Sequence, residues 1–309
     1  MFKIQGMLNK ILYTLLGAST VLLIFSFTKS NFAKTPVVSG SSTINEANLS
    51  APKTTPEIAS NTLPPDLTSN SAMAYDLNSG TVLYSKNLND KLPIASLTKL
   101  MTAIVVMENE SNLDAVVTVK NSDVAGVVGS TIGLVPGEKI TVRDLLFALL
   151  IPSSNDAALT LADFVGNSQS NFVKLMNDKS QQLGLVGTHF ANPIGWDIGD
   201  NYSNTSDLIK IVKEFLKYPM LQQIVKTKQT TIYSIDQKYS HELDTTNKLL
   251  LTDPRVIGLK TGFTSKALGN LIIEAADNRN FVLVVVLDSQ NREDDAQKLL
   301  DWVFQVYRW

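Results

Sequence analysis

Apolar residues run almost unbroken from Ile11 to Phe27, with Lys3 and Lys10 before them and Lys29 and Lys34 after. In a helix the run just reaches across a hydrocarbon layer of about 30 Å, and it also has the form of a secretory signal core. No convincing small-x-small cleavage site follows between Thr28 and Lys34, so an uncleaved anchor over residues 1–34 is preferred to a removed signal. Either way the basic flank stays inside. The remainder is expected outside the cytoplasmic membrane, on its periplasmic or wall face, or secreted if the segment is cleaved. From Thr35 to about Ser69 the chain turns to Ser, Thr, Asn and Pro. Too little apolar surface is present there to offset the entropy of ordering, which predicts a disordered tether over residues 35–69.

Beyond Ser71 the pattern alternates and then lengthens. Ala72–Asp76 and Thr81–Tyr84 flank Asn78-Ser79-Gly80, a hairpin signal. A helix is predicted from about Ser96 to Met107, with Leu97, Leu100, Met101, Ile104 and Val105 at helical spacing. Ala103, Val106 and Met107 fill the rest of its circumference, which predicts a helix buried on every side. Further helices are predicted at Val142–Leu150, Asp156–Val165, Asn171–Leu183 and Thr205–Leu216. Strands follow at Thr230–Ser234, Val256–Lys260, Gly269–Ala275 and Phe281–Leu287, and a helix at Glu293–Tyr307 comes last. Strands, then helices, then strands imply one sheet built from two distant stretches of chain, with a helical insertion. The late strands, joined by turns as short as Asp277–Asn280, should be antiparallel.

Composition narrows the chemistry. The 309 residues are 44% apolar and 18% charged, ordinary for a chain with a full core. The net charge of −2 and the lack of any basic run argue against a nucleic-acid partner. Cysteine is absent, which removes disulfides, thiol nucleophiles and Cys-zinc sites. The two histidines, His189 and His241, do not form a His-Glu-x-x-His zinc motif.

Three short motifs carry reactive groups. Ser96 and Lys99 open the buried helix on one face, where a desolvated lysine can act as base toward a serine hydroxyl. Alone the pair is weak, since Ser26 and Lys29 repeat its spacing in the apolar run. Ser153-Ser154-Asn155 precedes a helix and reads equally as a helix cap. Lys260-Thr261-Gly262 occurs once in the chain and is placed at the end of an apolar strand, where glycine permits close approach.

Order and spacing raise the case. A Ser-x-x-Lys helix, a Ser-x-Asn loop and a Lys-Thr-Gly strand are the motif set of penicillin-binding proteins and class A β-lactamases. Longer stretches agree: Ala74–Gly80, Leu92–Ala103, Ser153–Ala158, Thr188–Gly195 and Gly258–Thr264. On these residues the chain, from about Ser71 to Trp309, resembles the low-molecular-mass D-alanyl-D-alanine carboxypeptidases of peptidase family S11.

The resemblance implies an α/β fold of the β-lactamase/transpeptidase type. A five-stranded, mainly antiparallel sheet would be flanked by helices in a catalytic domain at 70–309, with an insertion at about 110–220. It implies that Ser96 is acylated, that Lys99 takes its proton, and that Ser153 and Lys260 relay a proton to the leaving D-alanine. Asn155 would orient Lys99 and the substrate amide. Lys260, Thr261 and Arg292 would hold the terminal carboxylate, with Gly262 and Phe263 beside it and the oxyanion between the N–H groups of Ser96 and Phe263. No metal or organic cofactor is implied. The implied partners are peptidoglycan stem peptides and β-lactams as covalent inhibitors.

A D,D-endopeptidase uses the same residues and stays open, as does a non-catalytic wall-binding protein. A class A β-lactamase needs a glutamate loop about three dozen residues after Ser-x-Asn, and His189–Gly195 holds no acid. A histidine frequent in the family is replaced by Ile194. His189 is expected to anchor a loop, His241 to lie on a surface strand or turn, and the aromatics Trp302, Phe304, Tyr307 and Trp309 to pack the last helix.

Overall fold

The computed structural model describes residues 55–309, so the expected anchor and most of the expected tether lie outside the described residues. In chain order come β1 (Glu57–Ile58), β2 (Ser71–Asp76) and β3 (Val82–Lys86), then a 3₁₀ turn at Ala95–Leu97 leading into α1 (Thr98–Asn109). Next are β4 (Val116–Thr118), α2 (Asn121–Val124), β5 (Lys139–Thr141), α3 (Val142–Leu150), α4 (Asn155–Gly166) and α5 (Gln169–Gln182). α6 (Thr205–Phe215) and α7 (Pro219–Lys226) precede β6 (Gln229–Tyr233), β7 (Ser240–Asp244) and α8 (Lys248–Thr252). The last elements are β8 (Val256–Thr264), β9 (Leu268–Asp277), β10 (Asn280–Ser289), α9 (Arg292–Val306) and β11 (Tyr307–Arg308).

The main sheet has the order β3-β2-β10-β9-β8 and is antiparallel throughout. It is thus built from both stretches, as its strand pattern required. Side chains alternate across a strand, and here the alternation divides the core in two. Leu283, Val285 and Leu287 of β10 face the helical layer with Leu100 and Ile104 of α1, while Val282, Val284 and Val286 face Leu299, Leu300 and Val303 of α9. Both faces being covered, β10 reads as a continuous apolar run rather than an alternating one. Each fully buried side chain of this size contributes about 1.5–3 kcal/mol before the entropy of ordering is subtracted.

α1 is buried from Thr98 through Val106, as its apolar circumference predicted. It packs against α4, α5, α6 and α3, so the lysine at its second position has no route to bulk water along its own helix.

Four expectations need correction. Residues 55–69 are not part of a loose tether. β1 pairs with β11, and Thr68 N–H and Ser69 N–H donate to Asp295 at 2.9 and 2.7 Å. Lys86 Nζ donates to the carbonyls of Leu67 and Ser69. Hydrogen bonds to a few charged side chains order this segment where its apolar content alone would not. Lys260-Thr261-Gly262 lies inside a strand, since β8 pairs with β9 as far as Thr264. His241 is buried on β7, its Nε2 2.8 Å from Glu138 Oε1. Finally, α7, α8, the β4–β5 pair and β7 were not anticipated. Their runs are too short for periodicity to register.

Candidate active site

The sequence folds a serine onto the mouth of a buried helix. Ala95 takes φ +48°, a conformation unusual for an L-residue, and this turns the chain into the 3₁₀ turn that carries Ser96. Lys99 follows one turn later. Its Nζ lies 2.9 Å from Ser96 Oγ, 2.6 Å from Asn155 Oδ1 and 3.2 Å from the Ile194 carbonyl. Burial pushes the ammonium down to about 7, against a smaller opposing pull from Asp156. A substantial neutral fraction at physiological pH is what a general base requires.

Asn155 reaches Lys99 because the loop before α4 is tightly held. Its N–H donates to the Ser130 carbonyl at 2.7 Å and its Nδ2 to the Val128 carbonyl at 2.7 Å. Asp156 gathers the same neighbourhood, accepting from the Gly133 and Leu134 N–H groups at 3.0 and 3.1 Å and from the Ser154 hydroxyl. Ser153 adopts φ +65°, and its buried hydroxyl has no hydrogen-bond partner. A backbone strained by about 1–3 kcal/mol around an unpaired donor is not explained by capping; the N-cap of α4 is instead Ser154, which makes no capping bond. The hydroxyl is held free at the edge of the cleft.

β8 forms the opposite wall. Lys260 is buried, donates to the Thr261 carbonyl at 3.1 Å, and is held well below the usual lysine range by burial, then by Lys99 and Arg292. No salt bridge joins Lys99 or Lys260 among the described residues. Thr261 Oγ1 meets Thr246 Oγ1 at 2.6 Å. Gly262 is required by proximity: a Cβ there would stand 2.9 Å from the Ile94 carbonyl and 3.1 Å from Ser96 N. Arg292 Nη1 donates to the Gly262 carbonyl at 2.8 Å, which puts its guanidinium at the same end.

The fourth side is the segment 192–198. Asn192 Oδ1 accepts from the N–H groups of Gly195 and Trp196 at 2.8 and 3.1 Å, and Thr102 Oγ1 donates to the Pro193 carbonyl at 2.7 Å. It is the Ile194 main chain, not a side chain, that touches Lys99. His189 anchors the base of the segment through Nδ1 and the Asp200 carbonyl, 2.8 Å apart. Asp197, the next acid along, is tied to Thr264 Oγ1 at 2.8 Å.

These walls enclose a cleft of about 180 Å³ bordered by Ser96, Ser153, Asn155, Thr261, Gly262, Phe263 and Arg292. Lys99 and Lys260 lie buried behind that surface. All nine candidate residues are therefore brought to one site. Gly129, Ser130, Trp196 and Thr246 also border it. No motif marked them, because each reaches the site only through the folded arrangement of stretches far apart in the chain. The arrangement can activate a hydroxyl with a neutral amine, supply a second hydroxyl across the cleft, and draw an anion toward Lys260 and Arg292.

Comparison with known proteins agrees. The D-alanyl-D-alanine carboxypeptidase family, peptidase S11, matches residues 58–291. A D-alanyl-D-alanine carboxypeptidase of Bacillus subtilis is 37% identical over 77% of this chain; the match spans 62% of that protein, somewhat under two thirds of its length. A D-alanyl-D-alanine endopeptidase of Pseudomonas aeruginosa is 36% identical over 77% of this chain and 78% of its own. The crystal structure of a Streptomyces DD-transpeptidase superposes with a TM-score of 0.74 at 34% identity, covering 79% of this chain and all of that one. The chain belongs to the D-alanyl-D-alanine carboxypeptidase family of serine peptidases, peptidase family S11.

Proposed function

We propose that the chain removes the terminal D-alanine from peptidoglycan stem pentapeptides through an acyl-enzyme on Ser96. One observation carries the reading: Lys99, fully buried and lowered to about 7, stands 2.9 Å from Ser96 Oγ. Neutral Lys99 accepts the Ser96 proton as Oγ bonds to the carbonyl carbon of the penultimate D-alanine. The C–N bond then breaks, and the departing nitrogen takes a proton from Ser153 Oγ, which is replenished through Lys260 by the proton that Lys99 took from Ser96, leaving Lys99 neutral. Water attacks the ester, its proton passes to Lys99, and the Ser96 hydroxyl is restored. Asn155 holds Lys99 and the substrate amide. Thr261, Lys260 and Arg292 receive the terminal carboxylate, and Gly262 and Phe263 form the strand edge along which the peptide lies. β-Lactams, whose acyl adducts occupy the same position, are the expected covalent inhibitors.

The apolar run at Ile11–Phe27 supports attachment to the cytoplasmic membrane with this domain outside it, or export if the run is removed. A second reading, cleavage of crosslinks between stems, is favoured by the endopeptidases of Pseudomonas aeruginosa and Escherichia coli among the relatives. Mass spectrometry of digested peptidoglycan separates the two. Pentapeptides shortened by one D-alanine establish the first, and loss of crosslinked dimers with pentapeptides intact establishes the second. Ser96→Ala should abolish either.

A further inference from the structure

His241 on β7 and Glu138, just before β5, form a buried pair that the proposed chemistry does not use. Both ring nitrogens of His241 face acceptors. Nδ1 lies 3.0 Å from the Ile132 carbonyl and Nε2 lies 2.8 Å from Glu138 Oε1. A carbonyl only accepts, so Nδ1 carries a hydrogen, and one further proton shared between ring and carboxyl closes the other contact. The second carboxyl oxygen, Glu138 Oε2, accepts from the Val135 N–H at 3.0 Å. The pair thus holds main chain at both Ile132 and Val135.

That main chain belongs to the loop 125–138, which joins α2 to β5 without helix or strand. Gly129 and Gly133 take φ +85° and +76°, so the loop has little stiffness of its own. Its far side meets the active site. Asp156 accepts from the N–H groups of Ile132, Gly133 and Leu134 at 3.3, 3.0 and 3.1 Å. The Ser130 and Val128 carbonyls hold Asn155, each at 2.7 Å. Ile132 is the crossing point, its N–H given to Asp156 and its carbonyl turned to His241. A line of polar contacts therefore runs from β7 through the loop to Asn155, and so to Lys99. We propose that His241 and Glu138 are positioning residues for acylation, clamping the loop against α4 so that Asn155 keeps Lys99 aimed at Ser96. This rests on the acyl-enzyme reading above. Neither side chain borders the cleft. Apolar side chains would hold β7 to β5 as well or better, but they cannot bond a carbonyl and an N–H of the loop.

Three variants test it, read as the rate constant of acylation at saturating penicillin and as the melting temperature. Glu138→Gln keeps every bond, its amide nitrogen donating to the ring and its oxygen accepting from Val135, and should acylate at the parent rate. His241→Phe keeps a ring and loses both of its bonds. It should acylate at least about tenfold more slowly, since a misplacement of about 1 Å can cost about 10²-fold. The double variant, His241→Phe with Glu138→Leu, packs two apolar side chains together and should recover the melting temperature yet stay slow. A rate that recovers with the melt marks the pair as structural only and overturns the proposal. Parent-like acylation in His241→Phe, or slow acylation in Glu138→Gln, overturns it too. The rate constant is read on the molecules that label, so a lower yield of folded protein does not enter it. A parent protein that takes up no penicillin overturns the acyl-enzyme reading itself.

Discussion

Lys99 Nζ sits closer to Asn155 Oδ1, at 2.6 Å, than to the Ser96 hydroxyl, at 2.9 Å. The proposed base is therefore aimed by a residue from another helix. Asn155 is in turn fixed by the main chain at Val128 and Ser130.

Acylation should follow the state of Lys99. Burial lowers it from the ordinary lysine value to about 7, so only above that pH is the amine mainly neutral. The rate of labelling by fluorescent penicillin should rise with pH and level off above about 7. Asp156 pulls Lys99 upward, so Asp156→Asn should move that rise to lower pH. A profile unchanged in Asp156→Asn would show that Asp156 does not act on the base.

Ser153→Ala separates chemistry from stability. Its hydroxyl has no partner to lose, so thermal unfolding should stay within about 0.5 kcal/mol of the parent. Activity should fall by about 10²-fold or more if the hydroxyl transfers a proton. Ser153→Gly should go further, equally inactive yet more stable by about 1 kcal/mol, since φ +65° no longer strains a side chain. Calorimetry beside kcat/KM reads both.

Two glycines next to the nucleophile should fail differently. Gly262→Ala forces β8 away from Ser96 by a few tenths of an ångström, so acylation should drop while the protein stays folded. At Gly195, φ is +79° and a Cβ would meet the Ala95 carbonyl at 1.8 Å. Gly195→Ala should therefore cost stability first, seen as a lower yield of soluble protein and an earlier melt.

Glu274 sets a pH limit on stability. Burial pushes its carboxyl up, only partly relieved by Lys226, and its Oε2 is buried without a partner. A folded value above the unfolded one favours the protonated form. That contribution is complete below the ordinary glutamate range and is lost as pH rises through the folded value. Glu274→Gln should thus stabilise the protein at neutral pH by about 1 kcal/mol. The gain should shrink toward pH 4, which melts recorded between pH 4 and 8 will show.

What the amino-acid sequence disclosed follows the range of the forces involved. Ser96 and Lys99 were legible because residues three apart in a helix share a face. The sheet residues Lys260 and Thr261 were legible because a unique tripeptide closes an apolar run. Ser153 was visible only as a possible cap; its strained backbone and unpaired hydroxyl appear only once the loop is folded, where Ser130 Oγ donates to the neighbouring Pro152 carbonyl. Thr246 gave no signal, since its only tie to the site is a hydroxyl fifteen residues away. His241 reads as a surface residue until Glu138 is folded against it. Residues 55–69 show the same gap, being ordered by Asp295 and Lys86 rather than by their own composition.

The register of the central strands has one more consequence. Ser71 to Asp76 of β2 align with Leu287 to Val282 of β10, so the middle of the sheet joins parts of the chain made far apart in time. Loop closure of that span must precede any reward from pairing, which slows folding. During synthesis the Ser96 turn emerges long before β8, the strand that walls the cleft. A nascent chain that has not yet reached β8 therefore carries Ser96 without its surroundings, and the proposed chemistry must wait for that strand.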